Sequence, residues 1–187
     1  MTRIALTLLA ATITLGLVST AHGAVVAIDF GNYQWTSNPG HQQTGFDVFS
    51  GENAVTASRT FGAHTVTFVA SAWGVLHFAN TTGWTDENYG NLYEDLLSQN
   101  NGGYIDITVD GLDPDTDYEV TVWGFQTNLT QTYLYTPTSG TLGTAITVLS
   151  DGSVPASPLE DAGTEVWTSN AAGQIVFRST GSPHVRI

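Results

Sequence analysis

The chain has 187 residues, enough for one domain with a core of its own. Its formal net charge of −13 rests on 17 acidic residues against four Arg and no Lys, which sets it against phosphate backbones and anionic bilayers and excludes a nucleic-acid or membrane-surface role. No Cys is present, so disulfides, thiolate catalysis, zinc ribbons and iron–sulfur clusters are excluded too.

The first 23 residues read as a secretory signal. Arg3 supplies a positive charge, an apolar run follows from Ile4 to Val18, and Ala21-His22-Gly23 supplies the small residues before a cleavage point at Ala24. The run is short, contains Thr and lacks a basic flank, which favours cleavage over a permanent anchor, and no second apolar run of spanning length follows. The expectation is a secreted or cell-surface protein with no stable membrane span, its mature part a single domain over residues 24–187.

That mature chain alternates apolar and polar residues, the mark of half-buried strands. Over 25–31, Val26, Ile28 and Phe30 oppose Ala27 and Asp29. Fainter forms of the pattern occupy 45–49 and 54–61. Residues 64–70 put Val66 and Phe68 on one face, and 75–79 put Leu76 and Phe78 on one face. The segment "NLYEDLLSQNNGG" predicts the one helix: Asn91 as N-cap with Glu94 three residues on, an apolar stripe of Leu92, Leu96 and Leu97, and a stop at Asn100 to Gly103. Strands follow at 104–111, with Ile105, Ile107 and Val109 together, and at 118–125, with Tyr118, Val120 and Val122 together. Further strands fall at 144–150, 164–168, 173–179 and 184–187. Short strands punctuated by Gly, Pro, Asn and Asp predict an all-β, antiparallel β-sandwich with one short helix; a closed barrel is the competing architecture.

Several of these segments, in order, carry a resemblance: "VAIDFG", "QTGFDVF", "NLYEDLL", "IDITVDGLDPDTDYEVTVWGF" and "GQIVFRSTGSPHVRI". The mature chain resembles secreted bacterial β-sandwich domains of the galactose-binding-like, jelly-roll type, which often carry a PEP-CTERM sorting signal. It departs from them in two places: "NTTGWTDENYG" stands where an Arg-rich segment is usual, and the sequence reaches Ile187 without the Pro-Glu-Pro motif, apolar span and basic residues of such a signal. The resemblance implies a non-catalytic module that binds carbohydrate. Within it, "GLDPDTDYEV" looks like the L-x-P-x-T-x-Y corner of fibronectin type III domains.

The carboxylates of that corner, Asp113, Asp115 and Asp117, are candidate ligands for a weakly held calcium ion. They fail the EF-hand template, because Tyr118 stands where that loop needs Gly and Gly124 where it needs Glu. Asp beside Pro114 instead suits a turn, and Tyr118 suits a corner in which the ring is buried and its hydroxyl ties back to the turn's backbone. Candidate glycan-binding residues are the loop aromatics Trp84, Tyr89 and Trp35 with Asp86 and Asn88, and Trp123 on the face opposite Tyr118, because sugars stack on exposed rings and donate hydroxyls to placed polar groups. Asp29 is expected to pair with Arg178 or Arg186 on neighbouring strands. No nucleophile elbow, zincin helix or P-loop is present, and His41, His64, His77 and His184 are scattered. The best-supported function is therefore a secreted, non-catalytic binding module for carbohydrate or another extracellular polymer, without a cofactor unless calcium assists. A structural or matrix protein without a small ligand comes second. A glycoside hydrolase comes third, since a carboxylate pair at working distance is not singled out by spacing. The sequons at Asn80 and Asn128 carry little weight if the source is bacterial, as the resemblance implies.

Overall fold

The alternation in the sequence becomes the two faces of real sheets. A computed structural model describes residues 26–30, 46–49, 55–71, 75–78, 95–100, 103–124, 130–153, 160–182 and 184–186. In chain order the strands are β1 (Ile28–Asp29), β2 (Asp47–Val48), β3 (Thr56–Phe61), β4 (His64–Ala70), β5 (Val75–Phe78), β6 (Asp95–Asn100), β7 (Tyr104–Asp110), β8 (Asp117–Trp123), β9 (Gln131–Pro137), β10 (Ile146–Ser150), β11 (Ala162–Thr168), β12 (Gln174–Ser182) and β13 (His184–Arg186). One antiparallel sheet holds six of them in the order β10-β9-β12-β7-β4-β3. Strands β8 and β11 form an antiparallel pair, β13-β6-β5 a three-stranded sheet, and β1 and β2 a short parallel pair. Among the described residues the six-stranded sheet keeps two edges, β10 and β3, as an all-β sandwich does and a closed barrel does not.

Register lines up the apolar residues row by row. Phe68, Ile107 and Phe177 are cross-strand partners, as are Val66, Val109 and Ile175. Tyr135 faces Ile146 and Tyr133 faces Val148 on the same inner surface. The β8–β11 pair lies over this surface: the Trp167 ring sits 5.3 Å from Phe177, and its indole N–H donates to the Thr144 carbonyl at 2.7 Å. Trp167, Tyr133, Tyr135, Phe68 and Ile105 are fully buried, and a core of this kind stabilises the fold without disulfides. At Gly163 the layers come so close that a Cβ would collide with Ile146. At Gly111, where β7 ends, φ is +85° and a Cβ would strike the Ala63 carbonyl, so the turn into the acidic corner requires glycine.

Three features differ from the sequence reading. Residues 95–100, predicted as helix, are strand β6 between β5 and β13; residues 91–94 lie outside the described residues. A helix this short is marginal in water, whereas strand neighbours on both sides satisfy the backbone. Strand β9 was not foreseen, although it lies between β10 and β12. Its inward residues are Gln131, Tyr133 and Tyr135 and its outward ones Thr132, Leu134 and Thr136, so polarity does not mark the faces. The β1–β2 pair is parallel where only antiparallel pairing was expected.

Candidate functional site

The acidic corner folds around Tyr118. The backbone N–H of Asp113 donates to the Tyr118 hydroxyl at 2.9 Å. Asp115 takes φ of 50°, a conformation Asp tolerates better than most residues. The buried Ser169 hydroxyl donates to the Asp113 carbonyl at 2.6 Å and accepts the Thr116 N–H at 3.0 Å. The Thr168 hydroxyl donates to the Asp117 carboxylate at 2.7 Å. These bonds lock the turn to the strand β11 end. Among the described residues no three His, Asp or Glu side chains gather as a metal site, so Asp113, Asp115 and Asp117 are not brought together as ligands.

Of the expected glycan-binding residues, Trp35, Trp84, Asp86, Asn88 and Tyr89 lie outside the described residues. Trp123 is half-buried at the end of β8 and makes an edge-to-face contact with Phe46, centroids 5.8 Å apart. Its carbonyl accepts the Tyr135 hydroxyl at 2.9 Å, and burial pushes the Tyr135 phenol well above its usual pKa. Trp123 thus packs the outer side of β8. It stands a strand's length from Asp117, about 20 Å at the usual rise, so the two described parts of the candidate site do not converge.

A polar surface that the sequence did not single out lies on the outward face of the six-stranded sheet. Arg178 of β12 faces Asp106 of β7 and binds it in a bidentate pair, Nε to Oδ1 at 2.7 Å and Nη2 to Oδ2 at 2.8 Å. The guanidinium lies 3.6 Å above the Tyr104 ring, an arrangement worth about 0.5–1 kcal/mol at exposed sites. Donating these hydrogen bonds to Asp106 raises the already high pKa of Arg178. Arg178 pairs with Asp106; the expected pairing of Asp29 falls outside the described residues, as do the side chains of Asp29 and Arg186. Around this pair run cross-strand rows of hydroxyls. Ser58, Thr67 and Thr108 form one, with Ser58 and Thr67 bonded at 2.8 Å, and Thr60 and Thr65 bond at 3.1 Å in the next. Val69 stands in the row of Asp106 and Arg178 and Leu134 in that of Tyr104 and Thr180, 44% and 39% exposed. Asp110 completes the rim and caps its own turn through the Gly111 N–H at 2.9 Å. The signal for this face was visible as outward Asp106, Thr108 and Arg178, but their register was not.

One buried acid also went unnoticed. Asp161, just before β11, is 3% exposed, and its Oδ2 has no hydrogen-bond partner among the described residues. Burial, first, and then the charges of Asp151 and Glu160 push its carboxyl up to about 6, while the nearby Ser150 hydroxyl acts the other way. Such a value suits a general acid. Its burial keeps it from a substrate, however, so it does not supply the hydrolase chemistry. The neighbouring Asp151 is lowered instead, by the Ser153 hydroxyl and N–H.

Comparison of the chain with protein-family models, with curated proteins and with solved structures gave no match.

Proposed function

We propose that the chain is an exported, non-catalytic binding module of the galactose-binding-like, jelly-roll type, and that it takes a neutral carbohydrate or another neutral extracellular polymer on the outward face of its six-stranded sheet. The observation that carries this reading is the neutral centre of that face, with the Asp110 carboxylate standing at its rim. On a chain of net charge −13, Asp106 is cancelled by Arg178 and the surrounding rows present hydroxyls. A neutral, hydroxyl-rich ligand gains hydrogen bonds there without opposing charge. Arg178 is held by Asp106 and Tyr104, so it presents its free N–H groups with little ordering cost. The extracellular setting rests on the signal-like residues 1–23.

A glycan array probed with the purified mature domain, with and without calcium, tests the proposal. Binding to neutral glycans that weakens at least tenfold in Arg178→Ala, while the variant keeps its far-UV spectrum, supports it. A silent array together with concentration-dependent self-association supports a structural protein instead. Hydrolysis of any polysaccharide on the array overturns the non-catalytic reading.

A further inference from the structure

Three strands bring polar side chains to one end of the sandwich interior. Gln131 opens β9, Ser150 closes β10 and Asp161 precedes β11; their exposures are 2%, 0% and 3%. Ser150 is the cross-strand partner of Gln131, whose amide oxygen accepts the Tyr133 hydroxyl at 3.2 Å. The Asp161 carbonyl accepts the Gly124 N–H at 3.1 Å, which pins this residue to the end of β8. Two atoms here are buried without a partner among the described residues, the Asp161 Oδ2 and the Ser150 Oγ. They belong to separate layers, since β10 lies in the six-stranded sheet and β11 pairs with β8. Buried polar atoms are almost always bonded, so two neighbouring orphans mark a place where something is bound or held.

We propose that Asp161 is a proton-operated fastening between the layers: when protonated, its carboxyl O–H donates to the Ser150 hydroxyl oxygen and closes this end of the sandwich, and when ionised it leaves a buried charge that loosens it. Burial and the charged neighbours favour the closed form, against the Ser150 hydroxyl, which can also donate to the ionised carboxylate but offsets only part of the cost. Asp151 at the end of β10 and Glu160 beside Asp161 are both acidic. From β9 the nearby groups are the neutral Gln131 and Tyr133, and from the end of β8 the Gly124 amide. The folded chain holds the proton more tightly than the unfolded chain, since 3.8 rises to about 6 on folding. The contribution to stability is therefore complete below pH 3.8 and is lost as the pH climbs through about 6.

The test compares the melting temperatures of the wild type and Asp161→Asn across the range from about pH 4.5 to pH 8. The Asn amide donates as the protonated acid does. The expected result is a wild-type melting temperature that falls as pH rises, a flatter profile for the variant, and a variant that is the more stable of the two at the alkaline end. Parallel profiles, or a variant less stable than wild type at pH 8, overturn the proposal. Carbon-13 NMR of the wild-type Asp161 carboxyl provides an independent reading: a midpoint near 6 supports the fastening and one near 3.8 overturns it. Added calcium that raises the wild-type melting temperature at pH 8, but not that of the variant, assigns the place to a cation and overturns the proton mechanism.

Discussion

The Tyr118 hydroxyl accepts the backbone N–H of Asp113 five residues earlier, at 2.9 Å, and this bond turns the chain from β7 into β8. Removing the hydroxyl in Tyr118→Phe strands that N–H at a partly wet site. The expected loss is about 1 kcal/mol, read as a melting temperature lower by about 2–4 °C. An unchanged melting temperature would show that the corner is held by Ser169 alone.

Ser169 ties the same corner to β11 from the other side. Its buried hydroxyl serves both Asp113 and Thr116, so Ser169→Ala leaves a carbonyl and an N–H unpaired at once. The expected cost is about 1–3 kcal/mol by chemical denaturation. It should exceed that of Tyr118→Phe, because Ser169 is 1% exposed.

The conformation at Asp115 makes a separate prediction. With φ at 50°, Asp115→Gly is tolerated, whereas Asp115→Val costs about 1–2 kcal/mol through the crowding of a β-branched side chain in the left-handed region. Equal stability of the two variants would mean that the turn relaxes without resistance.

Gly163 and Ile146 meet across the sandwich. Gly163→Ala forces a methyl against Ile146 and should cost about 1–3 kcal/mol. In a double-mutant cycle Ile146→Ala should cost less in the Gly163→Ala background than in the wild type. Additive costs would show that the layers part without strain.

The Arg178–Asp106 pair is half-exposed, with side chains 41% and 27% accessible, so its energy is screened. Arg178→Lys keeps the charge but loses the fork and the ring contact. The expected destabilisation is below about 1 kcal/mol, and it should shrink in concentrated salt as the charge component is screened. A loss that is independent of salt would place the energy in the Tyr104 stacking alone.

Much of this architecture is legible in the sequence wherever burial on one face is apolar and on the other polar. β4 and β7 appear within a residue of their observed bounds because Val66, Phe68, Ile105 and Ile107 alternate with Thr and Asp. β9 is hidden because tyrosines carry its core face and Leu134, 39% exposed, carries its outer one. The helix expected at 91–103 misleads because a cap and three leucines describe a local preference, and sheet pairing outweighs it at Asp95–Asn100. The candidate site is harder to read. Asp106 and Arg178 each point outward by alternation, but they lie 72 residues apart, and only the order of the strands makes them neighbours. Asp161 stands in a turn-like stretch with no periodicity, so nothing local announces that it is buried.

The position of β12 has a consequence for how the molecule is made. Its partners are β7 on one side and β9 on the other, so among the described strands it joins the β3-β4-β7 half of the large sheet to the β9-β10 half. Residues 174–182 are synthesised after every other strand of that sheet. Until they emerge, β7 and β9 lack the strand that lies between them. Completion of the large sheet therefore waits until residues 174–182 are made and is governed by distant pairings, which makes it slow. For a chain exported as proposed above, such a delay favours passage through a translocation pore before the large sheet closes.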